Sequence, residues 1–280
     1  MKLKMKLMAA AVALVAASGA NAAITASSGG NGELFFSLWD VGADLTAGTA
    51  DDRAYVRDLG SLANGTILGG VLNNWMGGTT NPQTQTADKE SLTPNPIFSV
   101  AADSNLTSFL SVAGAASRLQ WNIVALDSSG TDRFLTTSNQ ATAPFSGTAV
   151  NLRNIALQGD VYLAAMNPTL TGDSALYSGV AANILGFGSN VGGVALGLNN
   201  ATGLDQSSLF WAISERGTTA AAIVDQNAFM ANATTPMSWT LTTNGTLIYA
   251  AVPEPSEYAL MLAGLGMLGF MARRRMANRV

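Results

Sequence analysis

Residues 238–250 read SWTLTTNGTLIYA, and they decide the fold class. Asn244-Gly245 supplies two residue types that readily adopt positive φ, and it separates Ser238–Thr242 from Thr246–Ala250, runs rich in Trp, Thr, Ile and Tyr. An Asn-Gly pair between β-branched and aromatic residues is the strongest short-range hairpin signal. Further runs of the same kind lie upstream: Glu33–Asp40 (ELFFSLWD), Asp52–Leu59 (DRAYVRDL), Arg118–Asp127 (RLQWNIVALD), Arg133–Thr137 and Leu209–Ser214 (LFWAIS). Clusters of Gly, Asn, Ser, Thr and Pro separate them, as turns require.

Helical spacing appears once with clarity. Asp103-Ser104 can N-cap Asn105–Ser117, where Leu106, Phe109, Leu110, Ala113 and Ala116 recur on one face. Tyr177–Gly186 and Ala220–Ala231 read as weaker helices, and Thr79–Pro96, with three prolines, reads as a loop. The expected fold is mainly β, a β-rich exported domain of sandwich type over residues 23–252 with a few helices.

Composition removes several chemistries. The 280 residues hold no cysteine and no histidine, so thiol nucleophiles, disulfides, Ser-His-Asp triads and the usual zinc ligands are all excluded. Charged residues make up 11%, against about 25% in ordinary soluble domains. Between residues 23 and 252, Lys89 and six arginines face sixteen acids, a net charge of −9. Nucleic acid is therefore not an expected partner, because binding it needs clustered Lys and Arg.

The two ends carry export signals. Lys2, Lys4 and Lys6 precede the apolar run Leu7–Ala17, and Ala20-Asn21-Ala22 then gives a small-x-small site with cleavage before Ala23. Eleven apolar residues are too few to span a hydrocarbon core of ~30 Å, which favours a cleaved signal helix over a retained anchor. At the other end Tyr258–Ala272 is uncharged, and Arg273, Arg274 and Arg275 follow at once. A helix over those fifteen residues is ~22 Å long, and snorkelling arginines extend its reach. The positive-inside rule keeps the arginines cytoplasmic and the preceding domain outside, the orientation that an N-terminal export signal also demands. The expected organisation is a signal peptide at 1–22, the exported domain, and a sorting and anchor segment at 253–280 with its single transmembrane helix at 258–272.

Val252-Pro253-Glu254-Pro255-Ser256, the apolar stretch and the terminal arginines together resemble the PEP-CTERM sorting signal, a Pro-Glu-Pro motif followed by a membrane helix and a short basic end. Glu257 is a departure, since that family more often places an uncharged residue there. The resemblance implies a Gram-negative host, recognition by a membrane-embedded exosortase, cleavage near Pro253-Glu254-Pro255 and delivery to the cell surface or an exopolysaccharide matrix. Two prolines flanking one acid also keep the segment out of helix and sheet, which suits a processing site. Glu33–Asp40 and Ala54–Gly60 (AYVRDLG), then Trp121–Asp127 (WNIVALD) and Arg133–Thr137 (RFLTT), are similar to the opening of many PEP-CTERM exported domains, a likeness that implies no activity.

One internal cluster is a metal candidate. Asp40, Asp44, Asp51 and Asp52 lie close in sequence, spaced by Gly, Ala and Thr, and oxygen ligands so arranged suit calcium. As a calcium loop the fit is incomplete, with Leu45 where a glycine belongs and Asp51 where a bidentate Glu belongs. Asp and Gly also cap ordinary hairpin loops. Carboxylate pairs of the kind used in glycoside hydrolysis have Glu33, Glu90 and Glu215 to draw on, but no motif groups them. Trp39, Trp121, Trp211 and Trp239 lie in strand-like runs and are expected in the core; Trp75, among Asn and Gly, is the candidate for an exposed role.

The function these features point to is a non-enzymatic cell-surface or biofilm-matrix protein without a resident cofactor. Its expected partners are signal peptidase, an exosortase, the membrane and exopolysaccharide. The alternatives are a secreted carbohydrate-active enzyme and a calcium-dependent adhesion module bearing the same tail.

Overall fold

The computed structural model describes residues 23–27, 32–46, 49–59, 98–127, 133–139, 144–178, 198–215, 224–230 and 235–252, with Leu265, Met267, Leu268 and Met271 of the tail. Each anticipated strand is present, shifted by a residue or two: β1 Phe35–Asp40, β2 Arg53–Asp58, β4 Gln120–Asp127, β5 Arg133–Ser138, β8 Ser207–Glu215, β10 Met237–Leu241 and β11 Leu247–Ala251. Four more complete the set: β3 Phe98–Val100, β6 Ser174–Ser178, β7 Thr202–Gly203 and β9 Val224–Ala228. Among the described residues of the domain, the α-helices are α1, Ser104–Val112, and α2, Ala149–Met166.

The described strands all join one sheet in the order β3-β11-β10-β8-β5-β4-β1-β2-β6, with β7 beside β4 and β9 beside β8. Side chains alternate across it. Phe36 and Leu38 of β1 enter an inner core with Trp121, Ile123, Leu135, Phe210, Trp239 and Tyr249, whereas Phe35 packs outward with Val124, Phe134 and Ile213. Because both faces are buried, the central strands read as nearly unbroken apolar runs.

The fold is mainly β as expected, and its antiparallel sheet is curled. Hydrogen bonding runs without a break from β3 to β6, so the described strands form one sheet, whose curvature encloses the inner core. Its ends are drawn together by Arg57, whose Nη1 donates to the Ala101 carbonyl at 2.9 Å, and by the Tyr55 hydroxyl, which donates to Asp103 Oδ2 at 2.8 Å. α1 sits at that seam with Leu106 and Phe109 buried inside, and the Asn105 Nδ2 donates to the Ser174 hydroxyl on β6 at 2.9 Å. Asp103 caps α1 as expected, accepting from the Leu106 N–H at 2.7 Å. The helix ends earlier than its sequence pattern suggests, because Ala113 is extended and the Gly114 N–H turns to donate to Asp40 at 2.7 Å.

α2 covers the convex face. Thr148 and Asn151 form a reciprocal capping box, and Leu152, Ile155, Ala156, Tyr162, Leu163 and Met166 bury one side. Burying a Leu or Ile contributes about 1.5–3 kcal/mol, so this face easily offsets Gly159, which costs about 1 kcal/mol relative to Ala. Two expected helices are corrected. Tyr177 lies on β6, paired with Ala54, while the rest of Tyr177–Gly186 beyond Ser178 is outside the described residues. Within Ala220–Ala231, Val224–Ala228 is β9, because the open edge of β8 offers a ladder from Trp211 to Glu215 that outweighs local propensity.

Candidate functional site

The loop joining β1 to β2 divides its carboxylates between two tasks. Asp40 ends β1 with its side chain turned inward, 2% exposed, accepting from the Gly42 N–H at 3.0 Å, the Gly114 N–H at 2.7 Å and Arg118 Nη2 at 3.3 Å. It is an ion-paired anchor for the chain after α1. Asp44, Asp51 and Asp52 do converge, with one carboxylate oxygen from each lying within 4.8 Å of the others. Asp44 and Asp51 are exposed and Asp52 is buried.

Loop donors already serve these oxygens. Asp44 accepts from the Thr46 N–H at 2.9 Å, Asp51 from the Ala43 N–H at 2.6 Å and the Thr49 hydroxyl at 2.8 Å, and Asp52 from the Thr49 N–H at 3.1 Å. The Thr49 hydroxyl, and after it the Ala43 N–H, hold the Asp51 carboxyl below its ordinary 3.8. Leu45 takes φ +55, the left-handed conformation that the glycine of a calcium loop supplies. Gly42, at φ +72, leaves room for Asp51; a Cβ there would stand 2.2 Å from its Oδ2. Donor set and turn geometry fit a self-capped loop, and the three converging carboxylates fit a hard cation as a second occupant of the same oxygens.

Of the acids considered as catalytic, the two that are described, Glu215 and Glu33, are engaged. Glu215, 1% exposed, takes a two-pronged contact from Arg153 of α2, with Nη2 2.9 Å and Nε 3.2 Å from its Oε2. Glu33 Oε2 accepts from the Thr25 N–H at 2.7 Å. Glu90, Lys89, Trp75 and the loop 79–96 lie outside the described residues. Trp39, Trp121, Trp211 and Trp239 are buried, and Trp121 Nε1 donates to the Gly203 carbonyl at 2.8 Å. Arg118, Gly114 and Arg153, which hold the buried acids, carry no local sequence signal, since each acts across the fold.

Both ends of the described domain are tied down. Ile24 is buried, and its N–H and carbonyl both meet the Asn167 side chain at 2.8 Å. The expected cleavage residue Ala23 is exposed immediately before it, while Ala20 and Ala22 lie outside the described residues. At the far end β11 runs to Ala251, opposite Met237, and the Val252 N–H donates to the Pro236 carbonyl at 2.8 Å. Successive antiparallel pairings from β1 through β4, β5, β8 and β10 leave β11 running against β1, so the chain exits at the end of the sheet opposite the aspartate loop. Of the sorting residues, Val252 is described; Pro253, Glu254, Pro255, Ser256, Arg273, Arg274 and Arg275 lie outside. Among the described residues no helix is long and apolar enough to cross a membrane, and the expected span 258–272 is represented there by four exposed helical positions.

Comparison with known proteins adds one finding. No curated protein and no solved structure matches the chain. The family model described as the PEP-CTERM protein-sorting motif matches residues 251–275. That motif implies an exosortase as processing partner, export, and anchoring through the C-terminal tail. The chain therefore carries the PEP-CTERM sorting motif, and the matched segment begins on the last residue of β11.

Proposed function

We infer that this is an exported surface or exopolysaccharide-matrix protein whose β domain is non-enzymatic and whose tail is read and removed by an exosortase. The observation that carries the reading is the sorting motif at 251–275, which begins on the last residue of a folded strand. In this reading signal peptidase cuts between Ala22 and Ala23. The helix 258–272 then holds the chain in the inner membrane, with Arg273, Arg274 and Arg275 on the cytoplasmic side. The burial of Ile24 directly after the expected cut supports it, because among the described residues packing starts just past that point. Engagement of Glu33 and Glu215 by structural partners favours the non-enzymatic reading over a carbohydrate-active enzyme. A calcium-dependent adhesion module is the second reading, carried by the convergence of Asp44, Asp51 and Asp52.

Glu254→Ala tests the first reading. Export and insertion do not depend on this acid, and both flanking prolines remain. The expected result is accumulation of the full-length form in the inner-membrane fraction, seen by immunoblot against wild type. Equal loss of the tail from both proteins would overturn the recognition role of Glu254.

A further inference from the structure

The sorting match begins at Ala251, and Ala251 is still in the sheet, paired with Met237 of β10. The next residue is also fixed, since the Val252 N–H donates to the Pro236 carbonyl at 2.8 Å. Pro236 is held in turn: it bridges to Met230, and the Met237 N–H beside it donates to the Phe229 carbonyl at 2.8 Å. The first two residues of the matched segment are thus part of the fold. Ala250 and Ala251 pair with Ser238 and Met237 of β10, and Val252 follows them. Their side chains are small or half-buried, whereas Tyr249 just before them is fully buried in the inner core. The end of β11 is therefore a short segment that can peel from β10, and Tyr249 marks where peeling stops.

An enzyme that cuts a peptide chain commonly binds it extended, through main-chain hydrogen bonds. A backbone N–H already bonded inside the sheet cannot serve the enzyme at the same moment. We propose that the folded domain gates its own processing: the exosortase and β10 compete for residues 250–252, and the tail is removed through the frayed form of β11. The apparent affinity of the enzyme is then lowered by the fraction of chains that are frayed. This inference rests on the exosortase reading and assigns the regulation of that same site to the end of the sheet.

Two variants of the full chain, followed by immunoblot over time in cells that make the sorting enzyme, decide it. Inserting Gly-Ser-Gly-Ser between Val252 and Pro253 gives the enzyme free chain to grip, and tail loss should speed up by roughly 5- to 30-fold, the factor that one or two hydrogen bonds' worth of fraying imposes. Ser238→Cys with Ala250→Cys joins partner positions of β10 and β11 in a chain that has no other cysteine. Directly opposed positions on antiparallel strands fall within the Cα separation a disulfide needs, and the oxidising periplasm should close it. The locked double variant should keep its tail, and either cysteine alone, or added reductant, should restore removal. Wild-type rates for the insertion or for the locked variant would overturn the gating proposal while leaving the exosortase reading intact. If the wild-type tail is never removed, both fall.

Discussion

Asp40 and Asp51 stand near the two ends of one loop, and their carboxylates answer to different neighbours. Asp40 is governed by Arg118 and Gly114, which reach it across the fold, whereas Asp51 is governed by Thr49 and Ala43 within the loop. Local partners of this kind are legible in sequence as Asp-Gly-Thr turn chemistry; the remote ones are not, and for that reason Asp40 reads from sequence as a fourth loop acid. The local partners also set a pH response. Because the folded state holds Asp51 below 3.8, their contribution is complete above that value and is lost as pH falls through the lowered midpoint. Titration of the Asp51 carboxyl followed by NMR should give a midpoint under 3.8, and Thr49→Val should raise it, since the Thr49 hydroxyl is its largest cause. An unchanged midpoint in the variant would sink that assignment. Calcium at ~1 mM, the range of weak extracellular sites, separates the two readings of the loop: a bound ion would raise the melting temperature, and a self-capped loop leaves it in place.

At the scale of elements, what was legible depended on whether the signal was local. The Asn244-Gly245 hairpin is present between β10 and β11, with Gly245 at φ +82, its N–H donating to the Thr242 carbonyl and the Thr242 N–H donating to Thr246. α2 carried a usable signal in the Thr148–Asn151 capping box and the spacing of Leu152, Ile155, Ala156, Leu163 and Met166. Val150, Asn151, Asn154, Gly159, Asp160 and Val161 mask it with poor helix formers, so the helix owes its existence to burial against the sheet. β9 and β6 could not be read at all, because the edges of β8 and β2 that recruit them are supplied by distant sequence. The hairpin glycine has a second duty that sequence also hides. A Cβ at Gly245 would stand 2.9 Å from the Ala102 Cβ and 3.0 Å from the Leu110 Cδ1, in the segment that carries α1. Gly245→Ala should therefore cost about 2–3 kcal/mol, combining left-handed strain with overpacking against α1. Denaturant unfolding should show a lower midpoint at unchanged slope, and a loss under ~0.5 kcal/mol, the size of an ordinary surface substitution, would mean that the turn relaxes away from the helix.

On the scale of the whole molecule, the curl of the sheet depends on pairings such as β1 with β4 and β2 with β6, which no local pattern encodes. The limits of the domain are better marked. Among the described residues of the domain, packing begins at Ile24 and the last main-chain bond of the sheet is made by Val252, both just inside the two expected processing points. The described tail residues Leu265, Met267, Leu268 and Met271 are all exposed, and the apolar clusters of the domain contain none of them. Deleting Tyr258–Val280 should consequently release the domain to the periplasm as a folded, soluble protein with a β-type circular dichroism spectrum and one cooperative thermal transition. Deletion from Leu247 onward is the opposing case. It removes β11, which lies between β10 and β3, and takes Leu247 and Tyr249 out of the inner core, where losing a large buried side chain costs about 2–5 kcal/mol. With a typical net stability of only 5–15 kcal/mol, the loss of two such side chains and a strand should leave that shorter chain unfolded or degraded. If the first truncation aggregates as the second should, the tail is part of the core and the sheet does not end at Val252; if both stay folded, β11 is dispensable and cannot hold the sorting motif against the domain.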